Sequence, residues 1–330
     1  MKYYSALVAL LFALIALPSQ GKEAGPVIES ATAAECNGLR VATGPKGKGY
    51  SVTFEDMRNF CGSEVELCER RTDGAIDNLT DLSLKNADIG MTSVFVYQTM
   101  KDGDPNIARL QQVMALNHNF IHPLINARGW PATVNTGKAW YTMGLGKDRS
   151  EVQLQPPIQK MSELKGKVVG MVGSGKLTIR RLNDILQMNM QLVDMKNDSE
   201  AVESLKAGRI QGAITVAGWP NGVIQQLTAE DGVQMVPFDL IASDPFIVGK
   251  VNYKSIGQYN INALGDPNIL VARPFEGEKA ALVAKLKSCL VAKLKVLKDN
   301  GRSSAWNEIT DTDKAFKDIS QFSYGAPKKR

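Results

Sequence analysis

The sequence is poor in histidine, in clustered charge and in long apolar runs, and each shortage excludes a class of function. It holds two histidines, His118 and His122, and their spacing matches no zinc-enzyme motif. The net charge of +5 is spread along the chain, so nucleic acid is not indicated as a partner. No Ser–His–acid or Cys–His arrangement is identifiable. We therefore expect a monomeric protein that is not an enzyme, with no metal, cofactor or nucleic-acid partner.

The one prominent apolar run lies at the N-terminus. It extends from Ala6 to Leu17, follows Lys2, and precedes small and polar residues that end at Gly21. This run is too short to span a bilayer, and a charged start with a short apolar stretch is typical of a cleaved secretory signal. We predict that residues 1–21 are a signal peptide and that the mature protein is exported.

Four cysteines are present, and an even number in an exported protein predicts two disulfides. Cys61 and Cys68 lie close together in sequence, which favours a local bridge between them and leaves Cys36 to pair with Cys289. The alternative is that the thiols are reduced and buried.

Short apolar runs alternate with helical patterns in two series, which predicts an α/β fold with largely parallel sheets. The first series has strands at 38–43, 64–69, 87–91 and 110–116; the second has strands at 167–172, 191–195, 210–216 and 233–237. Extended segments at 118–127 and 260–272 would cross between two lobes. The predicted lobes are 22–125 with 260–330, and 126–259. Residues 128–160 form either a hairpin or a longer excursion, and 276–299 predicts one amphipathic helix.

A glycine loop joins a buried strand to a helix at 167–187. Gly173, Ser174 and Gly175 break the strand, and the helix begins near Lys176. Free N–H groups and the positive end of a helix dipole make such a loop suitable for an anion. The sequence nearly matches a phosphate-binding loop, but Leu177 stands where a magnesium-binding hydroxyl is required. Nucleotide hydrolysis therefore stays a remote alternative.

Four passages resemble the TAXI family, the extracytoplasmic solute-binding subunits of one class of TRAP transporters. They are Lys165–Gly175, Ala87–Met91, Glu200–Pro220 and Val236–Phe238, in the family's order. The resemblance implies a type II periplasmic-binding-protein fold, two α/β lobes joined by crossing strands. It also implies that the protein binds a small carboxylate between the lobes in the periplasm and delivers it to the membrane subunits of a TRAP-type transporter.

In open α/β sheets, ligands bind at the carboxyl ends of strands. The residues expected to contact the ligand are Thr43, Gly44, Tyr50, Thr92, Ser93, Gly173, Ser174, Gly175, Lys176, Gly218 and Trp219. The hydroxyls would bind a carboxylate, and Tyr50 and Trp219 would form walls of the pocket. Helix capping and core packing are the competing roles for these side chains.

Lys176 replaces the threonine that the family has after Gly-Ser-Gly, and the loop before Tyr50 carries two lysines. A lysine that faces the cleft would favour a more acidic ligand. The same scaffold used as a sensor, or as a carrier of an apolar or lipid-like solute, is the alternative function.

Overall fold

The computed structural model describes residues 36–138, 148–241 and 243–324. The predicted signal peptide at 1–21 lies outside the described residues, as does most of the polar lead-in that follows it. Among the described residues, no helix combines the length and apolar character needed to cross a membrane.

The first part of the chain alternates short strands with helices, as predicted. The elements are β1 (Leu39–Ala42), α1 (Gly49–Cys61), β2 (Leu67–Arg70), α2 (Ala75–Ser83), β3 (Ile89–Ser93), α3 (Val94–Lys101) and the short α4 (Pro105–Ala108). β1 pairs in parallel with both β2 and β3. All five residues of β3 are buried, so this strand lies inside the core.

One long strand, β4 (Gln111–Asn126), follows. Two strands predicted separately, at 110–116 and 118–127, are therefore continuous. Next, β5 (Trp130–Lys138) and β6 (Asp148–Gln155) pair antiparallel as a separate two-stranded sheet. This confirms the hairpin interpretation of the 128–160 region; residues 139–147 lie outside the described residues.

The second alternation repeats the first. Its elements are β7 (Val168–Val172), α5 (Lys176–Ile185), β8 (Gln191–Asp194), α6 (Asp198–Lys206), β9 (Gly212–Gly218), α7 (Gly222–Gln226) and β10 (Val233–Met235). β7 pairs in parallel with β8 and β9. The N-cap of α6 is Asn197, whose side chain accepts a hydrogen bond from the Glu200 N–H.

The chain then returns to the first part. The elements are β11 (Ile247–Tyr253), β12 (Gln258–Ala272), α8 (Gly277–Ala292), α9 (Leu294–Asn300) and β13 (Ser320–Gln321). The single helix predicted over 276–299 is two helices, with Lys293 between them. β11 was not predicted.

Among the described residues, eleven strands form one sheet with the same strand order in both halves. The first half runs β2-β1-β3-β12-β4 and the second runs β8-β7-β9-β4-β10. β4 and β12 are antiparallel to each other and belong to both halves. This topology confirms the predicted fold class, two α/β lobes joined by crossing strands. The residue bounds given for the lobes stay a prediction.

The predicted disulfide pairing is wrong. Cys36 is bonded to Cys68 and Cys61 to Cys289. The parallel register of β1 and β2, with Arg40 opposite Cys68, brings the start of β1 to Cys68. Cys61 ends α1, which packs on α8 and so meets Cys289. Proximity in sequence therefore gave the wrong pairing, because Cys61 ends a helix that packs on α8, whereas Cys68 lies in β2 beside the start of β1.

Candidate ligand site between the two halves

The last residues of β3 and β9 meet at the middle of the crossing strands. Ser93 pairs with Asn268 on β12, and Gly218 pairs with Asn119 on β4. Asn119 in turn lies opposite Asp266, two residues from Asn268. β3 and β9 therefore run toward each other from opposite halves and end two residues apart along the β4–β12 ladder. The register thus brings the carboxyl ends of both halves to one place.

A hydrogen-bonded group of polar side chains occupies this meeting point. We call Tyr50, Asn117, Asn119, Asp266 and Asn268 the crossing-strand polar cluster. The Tyr50 hydroxyl donates to Asn268 Oδ1 at 2.7 Å, and Asn119 Nδ2 donates to the same oxygen at 3.0 Å. Asn268 Nδ2 donates to Asn117 Oδ1 at 3.2 Å. Burial raises the pKa of Tyr50 well above its ordinary value, and the charge of Asp266 raises this pKa further. The phenol therefore stays protonated.

Asp266 is the buried acid of this cluster, at 1% exposure. Its Oδ1 accepts a hydrogen bond from the Phe95 N–H at 3.2 Å, and the Ser93 hydroxyl also bonds it. Burial raises the pKa of Asp266 to about 7, although both hydrogen bonds act to lower it. The carboxyl group therefore occupies the N-terminal end of α3.

The hydroxyls predicted to bind ligand in the first half already have protein partners. Ser93 Oγ accepts from the Val96 N–H and so caps α3, and Thr92 Oγ1 donates to the Ser93 carbonyl at 3.4 Å. Thr43 Oγ1 donates to Glu69 Oε1 at 3.2 Å. Capping and internal hydrogen bonding are thus the roles these groups have in this structure.

Asn78 holds the ends of two strands together in this half. Its Nδ2 donates to the carbonyl of Thr43, the residue after β1, and to the carbonyl of Met91, which lies in β3 two residues before its end. Its Oδ1 accepts a hydrogen bond from the Thr72 hydroxyl. Gly44 lies beside Tyr50, because a Cβ at Gly44 would be 3.7 Å from that of Tyr50. The loop after β1 is therefore fixed against the polar cluster.

In the second half the glycine loop is a single 3-10 turn, Gly173–Gly175, leading directly into α5. Gly173 has φ +71, a left-handed conformation that favours glycine. A Cβ at Gly175 would be 2.4 Å from that of Val216, so the loop lies against the end of β9. The side chain of Ser174 lies outside the described atoms, and its hydroxyl stays a prediction.

Lys176 begins α5 and lies near the outer strand of its half. Its Nζ is 3.6 Å from Asp194 Oδ1, and Arg180 bonds the same carboxylate at 3.0 Å. Asp194 is more than half exposed, so solvent screens this pair. The first turn of α5 has neither an acidic residue nor a side-chain cap. This helix end, unlike that of α3, therefore holds no carboxylate in its first turn.

Trp219 and the two histidines have structural contacts. Trp219 packs on the second-half core and donates from Nε1 to the Asn252 carbonyl at 3.2 Å. His122 is buried beside Tyr253, with Nε2 2.8 Å from its hydroxyl, and burial lowers its pKa to about 4. His118 Nδ1 lies 3.6 Å from Glu308.

Among the described residues, one group has metal-ligand spacing, namely Cys36, Glu66 and Cys68. Its two sulfurs are joined in a disulfide, so they are not thiolate ligands.

Four residues of this cluster were not among those expected from the sequence to contact the ligand: Asn117, Asn119, Asp266 and Asn268. The available signal was the polar residues at 117–119 and 266–268, which interrupt otherwise apolar strands. Such residues are common in turns, and only the strand register shows that they lie side by side. Two halves of identical strand order joined by antiparallel crossing strands define a mixed α/β, two-lobed fold of the periplasmic-binding-protein type.

No protein-family model matches the sequence, and no curated protein matches it. Several solved structures are similar over most of the chain at low identity. The amino acid ABC transporter substrate-binding protein AbpA from Streptococcus pneumoniae, bound to L-arginine, is 12% identical, with 82% of this chain and 94% of that chain covered and a TM-score of 0.48.

A histidine kinase sensor domain with similarity to periplasmic binding proteins is 12% identical, with 83% and 97% of the two chains covered and a TM-score of 0.46. An arginine transport-system periplasmic binding protein from Legionella pneumophila is 10% identical, with coverage of 82% and 97% and a TM-score of 0.42. Similarity at this level does not identify a ligand or a transporter for this chain.

Proposed function

We propose that this protein is the exported solute-binding subunit of a TAXI-type TRAP transporter. It binds a small organic anion of the carboxylate type between its two lobes and delivers it to the membrane subunits. The observation that carries the proposal is the meeting of β3 and β9 at the crossing strands, which brings loops of both lobes to one site. The four TAXI-like passages support the choice of family.

The anionic group of the solute is bound at the start of α5. The N–H groups of the Gly173–Gly175 turn and the helix dipole favour negative charge there, and the first turn supplies no acid of its own. Lys176 adds a positive charge. Its contact with Asp194 is long and exposed, so moving the ammonium group to a ligand costs little.

The remaining proposed contacts come from the two sides of the cleft. Thr43, Gly44, Tyr50, Thr92 and Ser93 are the contacts from the first lobe, and Gly218 and Trp219 join the glycine loop from the second. The lobes correspond to 22–125 with 260–330, and to 126–259. Closure of the lobes about β4 and β12 encloses the solute, as in other two-lobed binding proteins.

A thermal-shift screen of the mature protein against mono- and dicarboxylates tests the proposal. A true ligand at 100 times its Kd adds about 2.7 kcal/mol to the unfolding free energy and so raises Tm. Lys176→Ala should lower the affinity about tenfold, an order of magnitude for one charge-assisted hydrogen bond. Lys165→Ala, at an exposed lysine of the same lobe, is the matched control. Absence of any shift with every carboxylate contradicts the proposal.

Export is tested separately by N-terminal sequencing of the protein made in a secretion-competent Gram-negative bacterium. A periplasmic protein that begins at residue 22 agrees with the proposed cleavage after Gly21. A cytoplasmic protein that retains Met1 contradicts it.

A further inference from the structure

Beside the proposed site, each lobe packs an apolar side chain against an apolar cluster of the other lobe. Phe95, the second residue of α3, belongs to an apolar cluster that otherwise consists of second-lobe and crossing-strand residues. Its ring centroid is 4.8 Å from that of Phe246. In the opposite direction, Leu177 of α5 packs against the first-lobe cluster that contains Leu79 and Val96. We call Phe95, Leu177, Leu182, Phe246 and Leu264 the apolar seam.

A small cavity lies within this seam. Its volume is ≈ 30 Å³, and side chains of both lobes line it, including Phe95 from the first lobe and Leu182 and Phe246 from the second. At its mouth Ile185 is 55% exposed and Ile241 is 90% exposed. A space of this size holds about two water molecules, so an organic molecule enters only if the lobes separate. Separation would also expose the seam on both walls.

We infer that the apolar seam is a subsite for the body of the solute, and that the solute is an amphipathic monocarboxylate, aliphatic or aromatic, rather than a dicarboxylate. This inference rests on the proposed function for the carboxylate position at α5 and adds the class of the rest of the ligand. The seam begins at Leu177, the residue after Lys176. From Lys176 to Leu182 the helix rises about 9 Å, a distance that a medium-length acyl chain spans.

A second carboxylate has no suitable place along this path. Against the apolar side chains of the seam it would lose water without gaining a polar partner, and Ser243, the uncharged polar residue that lines the cavity, is itself exposed to solvent. At the start of α3, the other helix end at the site, the Asp266 carboxyl group already accepts the Phe95 N–H. Asp244, the acidic residue at the cavity rim, would repel an anion there. An apolar ligand body, by contrast, would replace the contacts that the seam residues make with one another by equivalent apolar contacts to the ligand.

The test is calorimetric titration of the mature protein with butanoate, hexanoate, octanoate and phenylacetate, and with succinate and glutarate. We expect the affinity for the aliphatic series to rise about fourfold for each added methylene group, the value for burying one methylene in an apolar site. Phe246→Ala should flatten this rise, and Phe246→Leu, which keeps an apolar side chain, should retain most of it. Phe275→Ala is the matched control, because Phe275 packs on the first-lobe core away from the seam.

The outcomes separate the two proposals. A chain-length dependence that Phe246→Ala removes and Phe275→Ala leaves intact supports the apolar subsite. Tight binding of succinate or glutarate, with no dependence on chain length, overturns the subsite and leaves the carboxylate-binding function standing. Absence of binding by every acid overturns both. If Phe246→Ala does not fold, the native protein keeps the test decisive, because its chain-length dependence and its affinity for succinate and glutarate separate an apolar subsite from a dicarboxylate site.

Discussion

The two lobes have the same strand order but are held together differently. The first contains all four cysteines, and its disulfides fasten β2 to the segment before β1 and α1 to α8. The second lobe has no cysteine, and its buried residues include several methionines: Met161, Met171, Met188, Met190 and Met195. Methionine is flexible and fills irregular spaces. The first lobe is therefore cross-linked, whereas the core of the second lobe contains several side chains that can change conformation.

The helix ends at the proposed site differ in the same way. The start of α3 in the first lobe is capped by Ser93 and filled by Asp266, whereas the start of α5 has neither a side-chain cap nor an acid in its first turn. The first lobe thus uses its helix end for its own structure, and the second lobe leaves free of side-chain partners the helix end at which we propose that the ligand anion binds.

The largest expected effect concerns the disulfide that closes the longer loop. Replacing Cys61 and Cys289 by alanine frees a loop of 228 residues and should lower the unfolding free energy by about 4–5 kcal/mol. Replacing Cys36 and Cys68, whose disulfide closes a loop of 32 residues, should lower the unfolding free energy by about 2 kcal/mol less than replacing Cys61 and Cys289. Urea unfolding of both double variants measures the difference. Equal losses would show that loop length does not govern the stability of the first lobe.

The next effect compares the carboxylate clusters of the two lobes. Buried Asp88 bonds Arg273 at 3.0 Å and Lys279 at 3.1 Å, and also bonds Arg40. Asp88→Asn should cost about 3 kcal/mol, because it leaves these cations without their buried partner. Asp194→Asn in the second lobe removes an exposed pair and should cost less than about 1 kcal/mol. Thermal unfolding at pH 7 checks both, and similar costs would contradict the comparison.

The Asp88 cluster also predicts an acid transition. Burial acts to raise the pKa of Asp88, but hydrogen bonds from Arg40, Arg273 and Lys279 lower it to about 2, below the ordinary 3.8. Its stabilising contribution is therefore present above about pH 4 and is lost as the pH falls through 2. In Asp88→Asn this part of the acid destabilisation should be absent.

The sequence predicted the alternation of strands and helices because that information is local. Apolar runs such as Val168–Val172 and helical spacing such as Ile179 with Leu182 are visible in short windows. The disulfide pairing was not predictable in this way, because it depends on the β1–β2 register and on how α1 packs against α8. β11 was missed because Gly249 and Lys250 interrupt its apolar pattern.

For the candidate site, the sequence indicated the loop ends but not what lies between them. The ends of β3 and β9 could be named from the sequence, whereas the residues facing them from β4 and β12 could not. Pro267 lies between Asp266 and Asn268, and a proline in a predicted strand suggests a break. In the structure the register of β12 shifts after Pro267, which leaves the polar cluster inside the strand.

A smaller effect compares two asparagines, one in each lobe, whose side chains bond the backbone. Asn78 holds the carbonyls of Thr43 and Met91, at the strand ends of the first-lobe site. In the second lobe and away from the site, Asn183 Nδ2 donates to the Met190 carbonyl, and Asn183 Oδ1 accepts from the Met190 N–H. Asn78→Ala should cost about 2 kcal/mol, because it removes the buried hydrogen bonds from Nδ2 to the carbonyls of Thr43 and Met91. Asn183→Ala, at a more exposed position, should cost about 1 kcal/mol.

Chemical denaturation gives the stability difference, and amide hydrogen exchange at residues 43–50 and 89–95 locates it. Faster exchange in both segments of Asn78→Ala, with no change there in Asn183→Ala, would show that Asn78 positions the first-lobe loops. Unchanged exchange in both variants would assign these loops to backbone pairing alone.

The last expected effect depends on pH and concerns Asp266, the acid that fills the helix end of the first lobe. Burial raises the pKa of its carboxyl group to about 7 from an ordinary 3.8. The favourable contribution of the protonated group is therefore complete below about pH 4 and is lost as the pH rises through 7. Asp266→Asn, which stays neutral and still offers an oxygen to the Phe95 N–H, should be more stable than the native protein at pH 8 by up to about 4 kcal/mol, since the pKa shift is about three units and each unit is worth about 1.4 kcal/mol.

Urea unfolding of both proteins from pH 4 to pH 8 measures this difference, with Asp102→Asn at an exposed position as the control. The native protein and the control should lose stability between pH 4 and 8 relative to Asp266→Asn. If the three curves are parallel, the charge of Asp266 is already balanced within the folded protein. The filled end of α3 would then differ from the open end of α5 in hydrogen bonding only.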